Sequence, residues 1–167
     1  METMRIYLIF ATALVPLVVG ALWYSPKGFG NLWMREAGMT DDKIKNSNMA
    51  LIFGLTYVLG IFASFILAVL VVHQAHIYSI LVEEPGYGDP ASELGAYLSA
   101  FMEKYGQNFR TFRHGAFHGT ATGLMMALPV LGINALFERR SFKYIAVHTG
   151  FWVISFALMG GILCQWM

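Results

Sequence analysis

The stretch that decides the fold is Arg113-His114-Gly115-Ala116-Phe117-His118-Gly119-Thr120-Ala121-Thr122-Gly123, which runs on to Asn134-Ala135-Leu136-Phe137-Glu138-Arg139-Arg140. No charge interrupts it from Gly115 to Ile133, and about 20 such residues in a helix cross a hydrocarbon core of roughly 30 Å. Three glycines at intervals of four put small residues on one face, where two helix backbones can approach closely. Two histidines at an interval of four share another face. The stretch predicts a membrane-spanning helix with one face for packing and one polar face near its start.

Three more runs have the same character: Ile6 to Trp23, Leu51 to Val72 and Tyr144 to Leu163. The chain of 167 residues is 57% hydrophobic and 13% charged, far from soluble-domain usage. The expected fold is therefore all-α, a single membrane domain of four transmembrane helices. The runs lack the alternation of barrel strands. Lys and Arg number seven in the first and third loops against four elsewhere, which places those loops in the cytoplasm and both termini outside. A net charge of +1 without a basic stripe argues against nucleic acid. The lone Cys164 can form no internal disulfide.

Pro16 and Pro129 each predict a bend in their span. Gly20-Ala21-Leu22-Trp23-Tyr24-Ser25-Pro26 ends the first span with aromatics at headgroup level, and Asn31 to Glu36 reads as a short interfacial helix. Thr40-Asp41-Asp42 caps a second helix that meets no breaker between Lys43 and Glu84. In the insert from residue 83 to 108, Asp89 and Pro90 predict the start of an external amphipathic helix. Its apolar face would hold Leu94, Tyr97, Leu98, Phe101, Met102 and Tyr105, with Gly106 closing it.

Three groups of residues could carry function. Gly115, Gly119 and Gly123 serve helix packing, within one subunit or between subunits. His73, His76, His114 and His118 fall at one membrane level and could converge on a divalent metal such as zinc, with Glu83 or Glu84 as further ligands; separate histidines bonded to carbonyls or water are the simpler alternative. A third use of these imidazoles is proton relay or pH sensing. Asn134, Glu138, Arg139 and Arg140 form a polar cluster at the end of the third span, which His148 could join, and a fold-fixing ion pair explains it. No nucleophile with its base and no phosphate-cradling loop is present, so neither an enzyme nor a resident organic cofactor is expected.

The residues from Gly20 to Pro26 followed by Gly30, Trp33 and Met34, then Ala127-Leu128-Pro129, Asn134 to Ser141, Gly150-Phe151-Trp152 and Met159-Gly160-Gly161, resemble the DUF1761 family of uncharacterised bacterial integral membrane proteins. The resemblance implies four helices in a bacterial inner membrane and supplies no catalytic residue. Beyond the short family core, the insert from Glu83 to Asn108 implies an added binding or assembly surface. The leading expectation is a non-enzymatic subunit of a homo-oligomer or larger membrane assembly, using the glycine face and the insert helix. The alternative is a metal-ion or proton sensor or transporter using the histidines.

Overall fold

The structure, a computed structural model, describes residues 5–167, and these form helices and turns without strands. In chain order the helices are α1 (Tyr7–Thr12), α2 (Val15–Trp23), α3 (Gly30–Ala37), α4 (Asp41–Lys45), α5 (Met49–Val71), α6 (Gln74–Ile80), α7 (Glu93–Tyr105), α8 (Phe112–Thr122), α9 (Leu128–Phe137) and α10 (Phe142–Trp166). A π-helical turn over Gly123–Ala127 joins α8 to α9. Three continuous helices are long and apolar enough to cross a membrane: Met49–Val71, Phe112–Phe137 and Phe142–Trp166. Tyr7–Trp23 is a shorter apolar helix.

The last helix is the hub. α10 packs against α1, α2, α5, α8 and α9, and it buries Ile145, Val147, Phe151, Met159, Leu163 and Cys164. The core beside its last two turns comprises Ile9, Leu67, Ala68, Val71, Val72, Met159, Leu163 and Met167. The closest partner is α8, and the glycine spacing explains why. A Cβ on Gly115 would collide with the Gly160 carbonyl oxygen, one on Gly119 with that of Phe156, and one on Gly123 with the Val153 backbone. Only glycine admits this approach, so the face predicted for packing is filled within one chain rather than left for a second copy.

Pro16 acts as expected. Helical order breaks at Ala13–Leu14, and α2 restarts with Pro16 in its first turn. Gly60 of α5 fits against the buried Ala13 carbonyl, and a Thr12–Ser64 hydroxyl hydrogen bond ties α1 to α5. Thr12 donates its own proton to the Leu8 carbonyl at 2.6 Å, so Ser64 is the donor in that pair. At Pro129 the distortion appears as the π-helical turn just before it rather than as a break.

Two predicted helices begin or run differently. The helix expected to run unbroken from Lys43 to Glu84 is three: α4 ends at Lys45, Asn48 caps α5 by accepting from the Leu51 N–H, and Val72–His73 separates α5 from α6. Thr40 does cap α4, accepting from the Lys43 N–H. The insert helix α7 is capped by Ser92 rather than Asp89, whose carboxylate instead accepts from the Ala91 N–H in the preceding turn. Its buried side is narrower than its apolar stripe, because Leu98 is buried while Tyr97 and Tyr105 are exposed. From Met49 to Leu59 no residue of α5 is buried.

Candidate metal centre

Three of the four singled-out histidines meet at the end of the bundle where α5 ends and α8 begins. His73 follows the last turn of α5, and His114 and His118 are one turn apart on α8. The Nε2 atoms of His73 and His114 are 3.0 Å apart, those of His118 and His114 are 3.1 Å apart, and one ligand nitrogen from each lies within 4.8 Å of the others. A tetrahedral zinc ion with Zn–N bonds of about 2.0–2.1 Å separates its nitrogens by roughly 3.3–3.4 Å. The two spacings to His114 are within a few tenths of an ångström of that.

Hydrogen bonding satisfies this arrangement poorly. The His114 Nε2 carries either a proton or a lone pair, so it cannot donate to one neighbour while accepting from the other. A cation shared by three lone pairs satisfies all three nitrogens. Burial first, and then the imidazoles of His118, His114 and His76, hold His73 below the ordinary histidine value. That keeps it neutral, the form a metal binds.

The surrounding chain holds these histidines in place. Thr111 caps α8 by accepting from the His114 N–H at 3.3 Å, and the Phe112 N–H donates to Gln165 of α10 at 3.1 Å. The Gln74 amide donates to the Gly106 and Asn108 carbonyls, both at 2.9 Å. The Cys164 thiol, fully buried, donates to the Phe109 carbonyl at 3.3 Å. Phe109 takes a left-handed backbone (φ 62°), and its ring stands 5.0 Å from that of His114. Gln74, Phe109 and Gln165 carry no metal-ligand chemistry of their own, so sequence spacing gave no reason to single them out.

The other sequence-predicted ligands lie outside the group. His76 is exposed, with its ring 6.5 Å from that of His73, because the break after α5 turns α6 away from the phase that a continuous helix would keep. Glu83 and Glu84 are exposed beyond α6. An open cleft of about 420 Å³ between α6 and α7 shares His73 with the cluster.

The polar cluster predicted at the opposite end forms only in part. Glu138 and Arg140 pair at 3.3 Å on the surface. Arg139 sits in the following turn with φ 56°, and Asn134, exposed on α9, takes no part in the pair. His148 instead lies between tyrosines: its Nδ1 is 3.2 Å from the Tyr24 hydroxyl, and its ring is 4.3 Å from that of Tyr144. Trp23 donates to the Val147 carbonyl at 3.1 Å. Trp23 and Tyr24 thus anchor the end of α2 to α10, a structural use of the Trp-Tyr-Ser-Pro stretch.

With both ends described, the comparison with known families is informative. The family described as a protein of unknown function, DUF1761, matches residues 7–164. The chain belongs to the DUF1761 family. No curated protein and no solved structure matches it. Membership assigns no activity to this DUF1761 protein, so a functional reading rests on its own geometry. The match runs through His73, His114 and His118 as well as through the Trp23–Tyr24 anchor, so all three imidazoles lie within the matched segment.

Proposed function

We propose that this DUF1761 protein is a non-enzymatic integral membrane protein that binds one divalent transition-metal ion, zinc first, through His73, His114 and His118. The observation that carries the reading is the convergence of three imidazole nitrogens whose hydrogen-bond partners, among the described residues, are one another. The wider frame is four spans in a bacterial inner membrane, Tyr7–Trp23 being the fourth, with α7 and the metal site on the outer side. The charge bias of the loops supports that orientation. An even number of spans is supported by Arg5 and Met167 lying at one end, where the Arg5 N–H reaches the Met167 carbonyl at 3.5 Å. Below the cluster the bundle is filled by Leu67, Val71, Met159 and Leu163, each almost fully buried. That packing favours sensing or storage of the ion over passage through one subunit.

Native mass spectrometry of gently extracted protein loaded with Zn²⁺ tests this directly. One zinc per chain, lost in a His73→Ala, His114→Ala, His118→Ala triple variant, is the expected spectrum. A folded wild-type chain that retains no zinc overturns the reading.

A second reading is an accessory subunit of a membrane assembly, a homo-oligomer or a partner of other subunits. The favouring observation is that α5 is exposed throughout from Met49 to Leu55, and Gly54 has no atom beyond its own helix near its Cβ position. The glycine face of α8 no longer supports it. Cysteine crosslinking at Gly54 in native membranes should trap a second chain if this face is an interface, and a monomer only would remove that support.

A further inference from the structure

Given the metal site proposed above, on which this rests, we infer that the bound ion keeps one coordination position for an amphiphilic monocarboxylate seated in the cleft between α6 and α7. A four-coordinate zinc with three protein ligands takes its fourth donor from elsewhere. The described residues offer none: the Cys164 thiol is committed to the Phe109 carbonyl, and Glu83 and Glu84 stand exposed outside the group. Three neutral imidazoles leave the full double charge of the ion in a half-buried site. An anionic fourth ligand is therefore favoured over a neutral one.

The cleft determines the rest of the ligand. His73 lies on its lining, and Ile77, Phe101, Met102 and Phe109 supply apolar walls. No acidic or basic side chain lines it among the described residues. The Gln74 amide spends both its hydrogens on backbone carbonyls. A phosphate monoester, with two charges and more oxygens, would find no cation there besides the metal to pair with. A single carboxylate asks only for the metal, and a hydrocarbon or aromatic body matches the walls. At about 420 Å³ the space falls in the range of small-molecule sites, roughly 300–1,000 Å³.

Cobalt-loaded protein in lipid nanodiscs tests the proposal, because the visible bands of Co²⁺ report both occupancy and a change of ligand. Acetate and octanoate share the donor group and differ only in the hydrocarbon chain. Octanoate should shift the bands at a concentration about tenfold or more below that needed for acetate, since each buried methylene adds to affinity. Ile77→Asn and Met102→Asn, on opposite walls, should each shrink that difference while the bands of the ligand-free cobalt protein stay as they were. Equal responses to the two acids, or bands that neither acid moves, overturn the carboxylate site while leaving the metal site standing. Absence of the bands in folded wild-type protein overturns the metal site, and this inference with it.

Discussion

The two ends of the bundle both carry histidines, and they use them in opposite ways. At one end His148 has a tyrosine hydroxyl on Nδ1 and an aromatic ring against its face, while its Nε2 is buried with no hydrogen-bond partner among the described residues. At the other end His73, His114 and His118 have mainly one another: their rings stand 4.5–5.2 Å apart, and their Nε2 atoms converge. An imidazole with a hydroxyl partner and aromatic packing is explained by the fold. Three imidazoles turned inward on one point are not satisfied by the fold in that way, which is the ground for the metal site proposed above. A ligand set is marked by mutual convergence, and the presence of a histidine in a helix end is not enough.

The sharpest way to break this contrast is to remove one histidine from each end. His114→Ala should weaken zinc binding at least about 100-fold, because removing a ligand costs no less than the 10–100-fold typical of losing a group behind one. His148→Ala should leave zinc affinity unchanged while lowering thermal stability, since it empties space between Tyr24 and Tyr144. Zinc affinity by competition with a chelating dye, alongside thermal unfolding in detergent, reads both. Equal effects of the two variants on zinc would show that the ends do not differ as described.

A smaller effect is expected at the packing between them. Gly119→Leu drives a side chain into the Phe156 carbonyl and should destabilise the protein by about 1–3 kcal/mol, the usual cost of overpacking. Because His118 is its neighbour in sequence, zinc affinity should fall with it. Oligomeric state should not change in the protein that stays folded, since this face is spent within the chain. A Gly119→Leu protein of wild-type stability would mean that α8 and α10 are not in close contact.

The sequence made one side of each contact legible. Glycines at 115, 119 and 123 are demanded by close approach, so their spacing identified a packing face, but periodicity carries no label for the partner. That the Gly160 and Phe156 carbonyls of α10 fill the opposite side is a tertiary fact. His114 and His118 were readable as a pair because α8 is regular there. Choosing His73 over His76 was not possible, because that choice depends on the break at Val72–His73, where no glycine or proline stands. Val72 is buried in the core beside Val71, and its packing overrides the helical continuity that local sequence suggests. Tyr24 looked like a membrane-interface aromatic, which hid its contact with His148.

The smallest expected effect lies beside the structural histidine, where α3 meets the start of α10. The Ser141 hydroxyl donates to the Glu36 carboxylate at 2.6 Å while its oxygen caps α10 by accepting from the Tyr144 N–H. That hydrogen bond, followed by the one from Arg35, holds the Glu36 carboxyl below its ordinary value of 4.5. A depressed folded-state value means that the ionised form stabilises the fold. The contribution is fully present above about pH 4.5 and is lost as pH falls through the lower folded value. Glu36→Gln should therefore unfold at a slightly lower temperature than wild type at pH 7, and the gap should close on acidification toward pH 3. Zinc bound at the far end, as proposed above, would raise the unfolding temperature of both proteins by mass action, so the comparison belongs in metal-free protein. A gap that persists unchanged at pH 3 would mean that Glu36 acts through its shape and not its charge, and that the α3–α10 contact does not depend on ionisation.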